Sequence, residues 1–550
     1  MPSPRPPANR SPLRAWQQRA LDALDGWRGE PFLVCAAPGA GKTRPALELA
    51  RRRLESGEAG AVVVACPTAP LTRQWARAAH ELGLDLVPDA DSPTPPSGFH
   101  GVAVTYARIA RAPARWARPL AARTLVIADE AHHLGEELTW GQTFSQAFGD
   151  RARSHRLLLS GTPFRSDATP IPGVSYDADG TAVPDVSYGY AQAVADAVCR
   201  PVSFVAYDGA LSWRSGDDVI ESSFETVLSM REASRRYRTA ISTQLPDGLP
   251  RILSEADVKL RAIRGDGHRD AAGLVVAADS EHARQIAKLL REATGRAPVV
   301  VLHAEARSAT RLHAFAGATD PWIVAVNMVS EGVDIPRLRV GVYATAAKTA
   351  LIFRQIVGRF VRTLSTRAPD ASWLYVPADP VLREHAATIE HELRSVRRGR
   401  GDGDGLGDGF ELDERDEHRQ TEPTPAADFE PLSADVAAQL TLFGGPAAGR
   451  PLTPPGRPAQ FTPRPPHQQP PHPPTAPEHG PAVPAFERRA QLRDERHRLV
   501  SELRRRDGTS HREINAWLNR TLGIASVDRA TVPELERSVE LLVRRLSRRR

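Results

Sequence analysis

Short apolar runs recur along the chain, each separated from the next by a stretch with helical period. The runs 32–35, 61–66, 101–105, 124–128 and 156–160 are too short for buried helices and predict strands covered on both faces. A second series, 273–278, 299–303, 322–327, 340–344 and 372–376, repeats the pattern. Alternation of this kind predicts two α/β lobes, each a parallel sheet with helices on both faces. Between the two series, residues 201–268 turn polar and read as a helical connector, with 231–243 its clearest helix. From 398 the pattern is lost: 401–409 alternates Gly with Asp, and 420–485 is crowded with Pro, Ala, His and Gln. Such a composition cannot bury enough apolar surface to order itself. Helical period returns from 486, where Ser510-x-x-Glu513 and Thr531-x-x-Glu534 are capping boxes. Apolar stripes on Ile514, Trp517 and Leu518, and on Leu535, Val539, Leu542, Val543 and Leu546, imply a small all-α bundle. The expected division is therefore a first lobe 1–200, a helical connector 201–268, a second lobe 269–397, a disordered Pro/Gly-rich linker 398–485 and a basic helical domain 486–550.

With 550 residues the chain is too long for a single core. Cys35, Cys66 and Cys199 lie singly in apolar surroundings, which speaks against disulfide, zinc and iron–sulfur frameworks and for a reducing, cytoplasmic setting. Residues 1–7 lack the apolar core of a signal peptide, and no run is long enough to span a bilayer, so no membrane association is expected. The net charge of +6 is compatible with a polyanionic partner, although arginine-rich coding gives the same figure.

The chemistry lies where strands end. After the first run comes Ala36-Ala37-Pro38-Gly39-Ala40-Gly41-Lys42-Thr43, a glycine-rich turn opening a helix, with Ala where the strict pattern has its first Gly. Backbone N–H groups of Ala37 to Thr43 are placed to wrap phosphate oxygens, with Lys42 at the β/γ-phosphates and Thr43 at Mg²⁺. The chain has four lysines, Lys42, Lys259, Lys288 and Lys348, so a lysine here implies a need for a compact point charge. The run 124–128 delivers Asp129-Glu130-Ala131-His132, two carboxylates for a metal and an attacking water. Together they imply hydrolysis of a nucleoside triphosphate.

Further segments follow in a fixed order: Leu13-Arg14-Ala15-Trp16-Gln17 before the turn, Pro67-Thr68-Ala69-Pro70-Leu71-x-x-Gln74-Trp75 and Thr105-Tyr106 before Asp129, and Ser160-Gly161-Thr162-Pro163-Phe164-Arg165 after it. The second lobe adds Ser330-Glu331-Gly332-Val333-Asp334-Ile335-Pro336 and Gln355-Ile356-Val357-Gly358-Arg359-Phe360-Val361-Arg362. Over roughly residues 10–390 this set resembles the motor core of superfamily 2 DEAD/DEAH-box helicases, with the look of the motor subunits of type III restriction enzymes. The resemblance implies two tandem RecA-like P-loop domains, ATP and Mg²⁺ as cofactors, and a nucleic-acid-dependent ATPase.

It also implies roles. Gln17 pairs its amide with an adenine edge, Asp129 holds Mg²⁺, and Glu130 takes the proton of the attacking water. His132 relays nucleotide state through Ser160 and Thr162 to Gln355. Arg359 and Arg362, placed on one helix face by their i, i+3 spacing, reach the γ-phosphate from the opposite lobe. Gly332 and Asp334 complete the nucleotide site. Pro67, Thr68, Gln74, Thr105, Tyr106 and Ser330 line the nucleic-acid face and grip phosphates without reading sequence. DNA is favoured over RNA by the likeness to restriction-type motors, and the expected protein is a monomeric DNA helicase or translocase of the cytoplasm, associated with the nucleoid. The alternatives are a duplex translocase that never separates strands, an RNA helicase and, in a different class, a nucleotide-gated scaffold. Intact Lys42, Glu130, Arg359 and Arg362 argue against the scaffold.

Two features of the tail stand apart. Gln439-Leu440-Thr441-Leu442-Phe443 resembles the pentapeptide by which bacterial replication and repair proteins dock on the DNA polymerase sliding clamp, with Gln439, Leu440, Leu442 and Phe443 as the clamp-binding candidates. Residues 486–550 carry seventeen arginines against ten acidic residues, the charge of a nonspecific duplex-binding module.

Overall fold

The computed structural model describes residues 4–5, 11–27, 31–116, 123–136, 138–149, 154–161, 170–171, 174–178, 181–302, 308–326, 335–363, 371–398, 429–440, 483–524, 527 and 530–547. The strands are β1 Phe32–Ala36, β2 Ala61–Cys66, β3 Leu86–Val87, β4 Gly101–Thr105, β5 Thr124–Asp129, β6 Ser154–Ser160, β7 Val186–Tyr188, β8 Val202–Ser215, β9 Asp218–Ser222, β10 Ala272–Ala277, β11 Val299–Val301, β12 Trp322–Val326, β13 Leu338–Ala344, β14 Ser372–Pro377 and β15 Phe429–Leu440. Every run named above forms a strand.

The first sheet has the order β3-β4-β2-β5-β6-β1-β7, parallel throughout. Because successive strand residues point to opposite faces, Phe32, Val34 and Ala36 join Val62, Val64 and Ile127 in one core. Leu33 and Cys35 join Val63, Val126, Leu158 and the rings of Trp116, Phe144 and Phe148 in the other. The uninterrupted apolar runs are thus the signature of a sheet buried on both sides. The second sheet has the order β11-β12-β10-β13-β14-β8-β15 and is parallel as far as β8. These are two tandem RecA-like lobes.

Two expectations need correction. The segment 201–268 is helical only in its second half, as helices Met230–Ala240 and Leu249–Gly265. Its first half is β8, which runs parallel beside β14 inside the second sheet, and β9, which hairpins against it. The segment 398–485 contains β15, paired antiparallel with β8 from Phe429↔Ser215 to Leu440↔Val205. The strand takes Pro431 at a register shift, which an edge position permits. Gln439 and Leu440 therefore sit with their backbones in this sheet rather than on a free leash, while Leu442 and Phe443 lie outside the described residues.

The C-terminal helices Ala485–Asp507, His511–Leu522 and Val532–Ser547 form the expected bundle, and both capping boxes are made. The bundle meets the first lobe where Arg77 Nε donates to Glu487 Oε1 at 2.8 Å. No described helix is long and apolar enough to cross a membrane.

Candidate functional site

The adjacent strands β5, β6 and β1 send their carboxyl-end loops to one place, the crevice where α/β sheets hold ligands. After β1, Gly39 and Gly41 take φ of +81° and +90°, left-handed backbone that glycine adopts without strain. They turn the chain into helix Thr43–Glu55, whose first N–H groups have no partners within the helix and suit phosphate oxygens. The loop is braced from outside: Arg14 Nη1 and Trp16 Nε1 donate to Ala40 O at 2.8 and 3.2 Å. Gln17 Nε2 donates to Gly41 O at 3.0 Å, and its Oε1 accepts from Arg14 N at 2.9 Å. Gln17 is buried with one bond at each end of its amide, so here it shapes the phosphate loop, while a second N–H and a second lone pair of the amide are left for a base edge.

Lys42 Nζ donates to Glu130 Oε1 at 3.2 Å. Gly161 lies beside the pair, where a Cβ would make ordinary contact at 3.5 Å from Lys42 Nζ and 3.8 Å from Glu130 Oε2. Glu130 has φ of +49°, a strained value for a non-glycine residue, held by the bonds around it: Ala131 N donates to Leu159 O, and Tyr106 OH to Asp129 O, both at 2.8 Å. The two carboxyls are driven apart. Burial and the neighbouring Glu130 charge push Asp129 up to about 6. Burial acts upward on Glu130 too, but Lys42 and His132 together hold it well below the usual carboxylate range. Glu130 is thus a charged proton acceptor at neutral pH, and Asp129 a carboxyl whose charge calls for a cation.

Asp129 Oδ2 accepts from Trp75 Nε1 at 2.8 Å, in the core of the lobe. His132 stands between the lobes: Nδ1 is 3.4 Å from Ser160 Oγ and 3.6 Å from Glu130 Oε2, and Nε2 is 3.5 Å from Gln355 Nε2 on helix Ala350–Phe360 of the second lobe. The second lobe reaches the phosphate loop itself. A Cβ on Gly358 would come within 2.8 Å of Pro38 Cβ, and one on Gly39 within 3.0 Å of Arg362 Cγ. Arg362 lies beyond the end of that helix, in a segment whose backbone bridges Cys199, and Cys199 Sγ donates to Pro38 O at 3.4 Å. The shared helix face expected for Arg359 and Arg362 is therefore corrected: Arg359 is half-buried in the last turn, and Arg362 arrives on the strap that follows.

Thr43 and Asp129 are hard oxygen donors of the kind Mg²⁺ takes. Among the described residues no three His, Cys, Asp or Glu side chains converge to cage a metal, so the remaining ligands of such an ion would be phosphate and water. The donor set fits Mg²⁺ carried by a nucleotide.

Pro67 and Thr68 are half-buried at the start of helix Ala69–Glu81, and Gln74 is exposed on it. Thr105 Oγ1 accepts from Arg108 N at 3.3 Å and caps helix Tyr106–Arg111. Tyr106 is fully buried under Asp129, which corrects its place on an exposed nucleic-acid face. Thr162, Ser330, Gly332 and Asp334 lie outside the described residues. Sequence reasoning missed Arg14, Trp75 and Cys199. Trp75 carried the one usable signal, as a large apolar residue directly after Gln74 in a segment otherwise read for its polar groups.

A model of the DEAD/DEAH box helicase family matches residues 14–169, and one of the helicase conserved C-terminal domain matches residues 257–363. The chain is 40% identical over 448 residues to the uncharacterized protein Rv2917 of Mycobacterium tuberculosis (strain ATCC 25618 / H37Rv), a match that spans 80% of this chain and 73% of that one. Solved structures similar to it include the ATP-dependent Type ISP restriction-modification enzyme LlaBIII bound to DNA, at TM-score 0.45 and 16% identity over 71% of this chain and 30% of that chain. Another is S. cerevisiae Dbp5 bound to RNA and ADP BeF3, at TM-score 0.44 and 13% identity over 69% of this chain and 87% of that chain. With the two family models falling in order on the two lobes, the chain belongs to the DEAD/DEAH-box helicases of superfamily 2.

Proposed function

We propose that this family member couples ATP hydrolysis to movement along DNA, with the lobe seam as its engine. The observation that carries the reading is His132, which touches Ser160 in one lobe and Gln355 in the other while standing beside Glu130. A change at the γ-phosphate is thereby felt by both lobes. When phosphate oxygens occupy the loop, Lys42 turns to them from Glu130, and Glu130 is released to accept the proton of the attacking water. Arg362 stabilises the charge that spreads over the transferring phosphoryl group as the terminal P–O bond breaks. Mg²⁺, when held by Thr43 and Asp129, neutralises phosphate charge. The assignment of DNA rests on the likeness of the motif set to restriction-type motors.

The test is steady-state ATP hydrolysis by the full chain, alone and with single-stranded DNA, duplex DNA or RNA. DNA is expected to raise turnover at least about ten-fold, well above RNA, within the usual range of about 1–10³ per second. Equal stimulation by RNA would overturn the DNA assignment, and no stimulation by any polymer would overturn the motor reading. Strand displacement set against triplex displacement then separates a helicase from a duplex translocase.

Trp75 acts through Asp129. Trp75→Phe keeps the ring and deletes the donor, leaving Asp129 Oδ2 without its buried hydrogen bond, a loss of about 1.5–3 kcal/mol for a charged acceptor. The expected result is a kcat lowered about ten-fold and a raised Mg²⁺ requirement, with metal-free nucleotide affinity unchanged in a fluorescence titration. An unaltered Mg²⁺ requirement would make Trp75 a packing residue only.

A further inference from the structure

The C-terminal bundle holds a cavity of about 380 Å³ lined by Arg493, Arg496 and His497 of helix Ala485–Asp507 and by Asn515 of helix His511–Leu522, with the acid Asp494 also in its wall. Arg496 is 5% exposed, yet its partners among the described residues are neutral: Nε donates to Ser538 Oγ at 2.8 Å and Nη2 to Asn519 Oδ1 at 3.3 Å. A buried cation is ordinarily matched by an anion, because neutral acceptors recover only part of its lost hydration. Here burial and the like charge of Arg493 both weigh against the charged form of Arg496. Asn515 Oδ1 is buried without a partner, and rotating that amide by half a turn presents two donors in its place.

The position of the cavity says which anion. Glu487, Ala490, Asp494 and His497 follow one another at three- and four-residue steps and share a stripe of the helix. Glu487, at the head of that stripe, is the residue that accepts Arg77 of helix Ala69–Glu81. That helix starts directly after Thr68 and exposes Gln74, both expected to follow a nucleic-acid backbone, with Arg73 exposed between them. From Glu487 to His497 is about 15 Å along the helix, a few nucleotides of extended strand.

We propose that this cavity binds a backbone phosphate of the nucleic acid that leaves helix Ala69–Glu81, an inference that rests on the motor reading above. The phosphate supplies the negative charge that Arg496 lacks, Arg493 and His497 close over it, and Asp494 sets an upper limit on affinity. The bundle is then a second grip on the polymer that holds it while the lobes open.

The test uses the full chain, labelled DNA and fluorescence anisotropy between 50 and 300 mM NaCl. The double variant Arg493→Glu, His497→Gln is expected to bind at least about ten-fold more weakly and to flatten the log–log salt slope by about one to two, close to one for each phosphate that is no longer neutralised, with ATPase in the absence of DNA unchanged. Asp494→Asn is expected to tighten binding about two- to three-fold, a sign that a damaged bundle would not give. Affinity and slope unchanged in both variants, with wild type binding DNA and stimulated by it, would overturn the phosphate site alone. Wild type that neither binds nor is stimulated would overturn the motor reading and this inference with it.

Discussion

Glu130→Gln is expected to lower ATP turnover by about 10³-fold while leaving ATP affinity within about two-fold, because it removes a proton acceptor and little else. The amide has the size of the carboxylate, and its oxygen still accepts from Lys42 Nζ, now at 3.2 Å from Glu130 Oε1. The left-handed backbone at Glu130 is held by neighbouring bonds, so the loop keeps its shape. What changes is the charge. Lys42 and His132 hold the wild-type carboxyl ionised against the upward push of burial, and an amide offers water no base at any pH. Phosphate release measured beside fluorescent-nucleotide binding separates the two quantities. Turnover within ten-fold of wild type would move the base elsewhere in the site.

Arg362→Ala is expected to cost about 10³-fold in kcat with a KM for ATP changed only a few-fold, as for a guanidinium that meets the phosphoryl group chiefly in the transition state. The side chain lies against Gly39 of the phosphate loop, across the seam from its own lobe. Its backbone is fixed independently by the bridge to Cys199, by Arg200 N donating to Val361 O at 2.7 Å and by Thr363 Oγ1 donating to Val198 O at 3.0 Å, so truncation leaves the strap in place. Arg362→Lys should not restore turnover, since an ammonium lacks the planar fork that spans two phosphate oxygens. Single-turnover kinetics at saturating ATP, with DNA affinity as the control for folding, reads the effect. A variant that hydrolyses ATP normally would show that lobe closure does not bring this side chain to the phosphate.

Much of the candidate site was legible because its chemistry is local. A glycine-rich turn after a strand, or two carboxylates at a strand end, states its geometry within eight residues. The supports of those groups were not legible, because they come from far along the chain. Trp75 and Asp129 are 54 residues apart, and nothing in either segment says that an indole N–H will end on that carboxylate. Tyr106 looked like an exposed contact and is buried, because the helix it starts packs against helix Leu138–Phe148, its ring edge-on to Phe144, and its hydroxyl reaches Asp129 O. That the Gln17 amide would also hang on the phosphate loop, through Gly41 O, was likewise not written in its own segment.

The sequence by itself determined the ten strands with uninterrupted apolar runs, the two lobes they build, the helical bundle and the order of the phosphate motifs, since burial on both faces and turn chemistry are written in neighbouring residues. The tertiary structure alone decided β8 and β15. β8 has strand formers in Val202, Phe204, Val205, Tyr207 and Trp213, but Asp208 and Gly209 interrupt them at its centre, and it is the pairing with β14, β9 and β15 that carries the strand through. β15 lies in a proline-rich segment, where it pairs along β8 and buries Ala434 and Val436 in the core. Where a strand's stability comes from a partner far along the chain, local pattern is silent, and a still longer stretch separates Arg362 from Gly39, the glycine it covers.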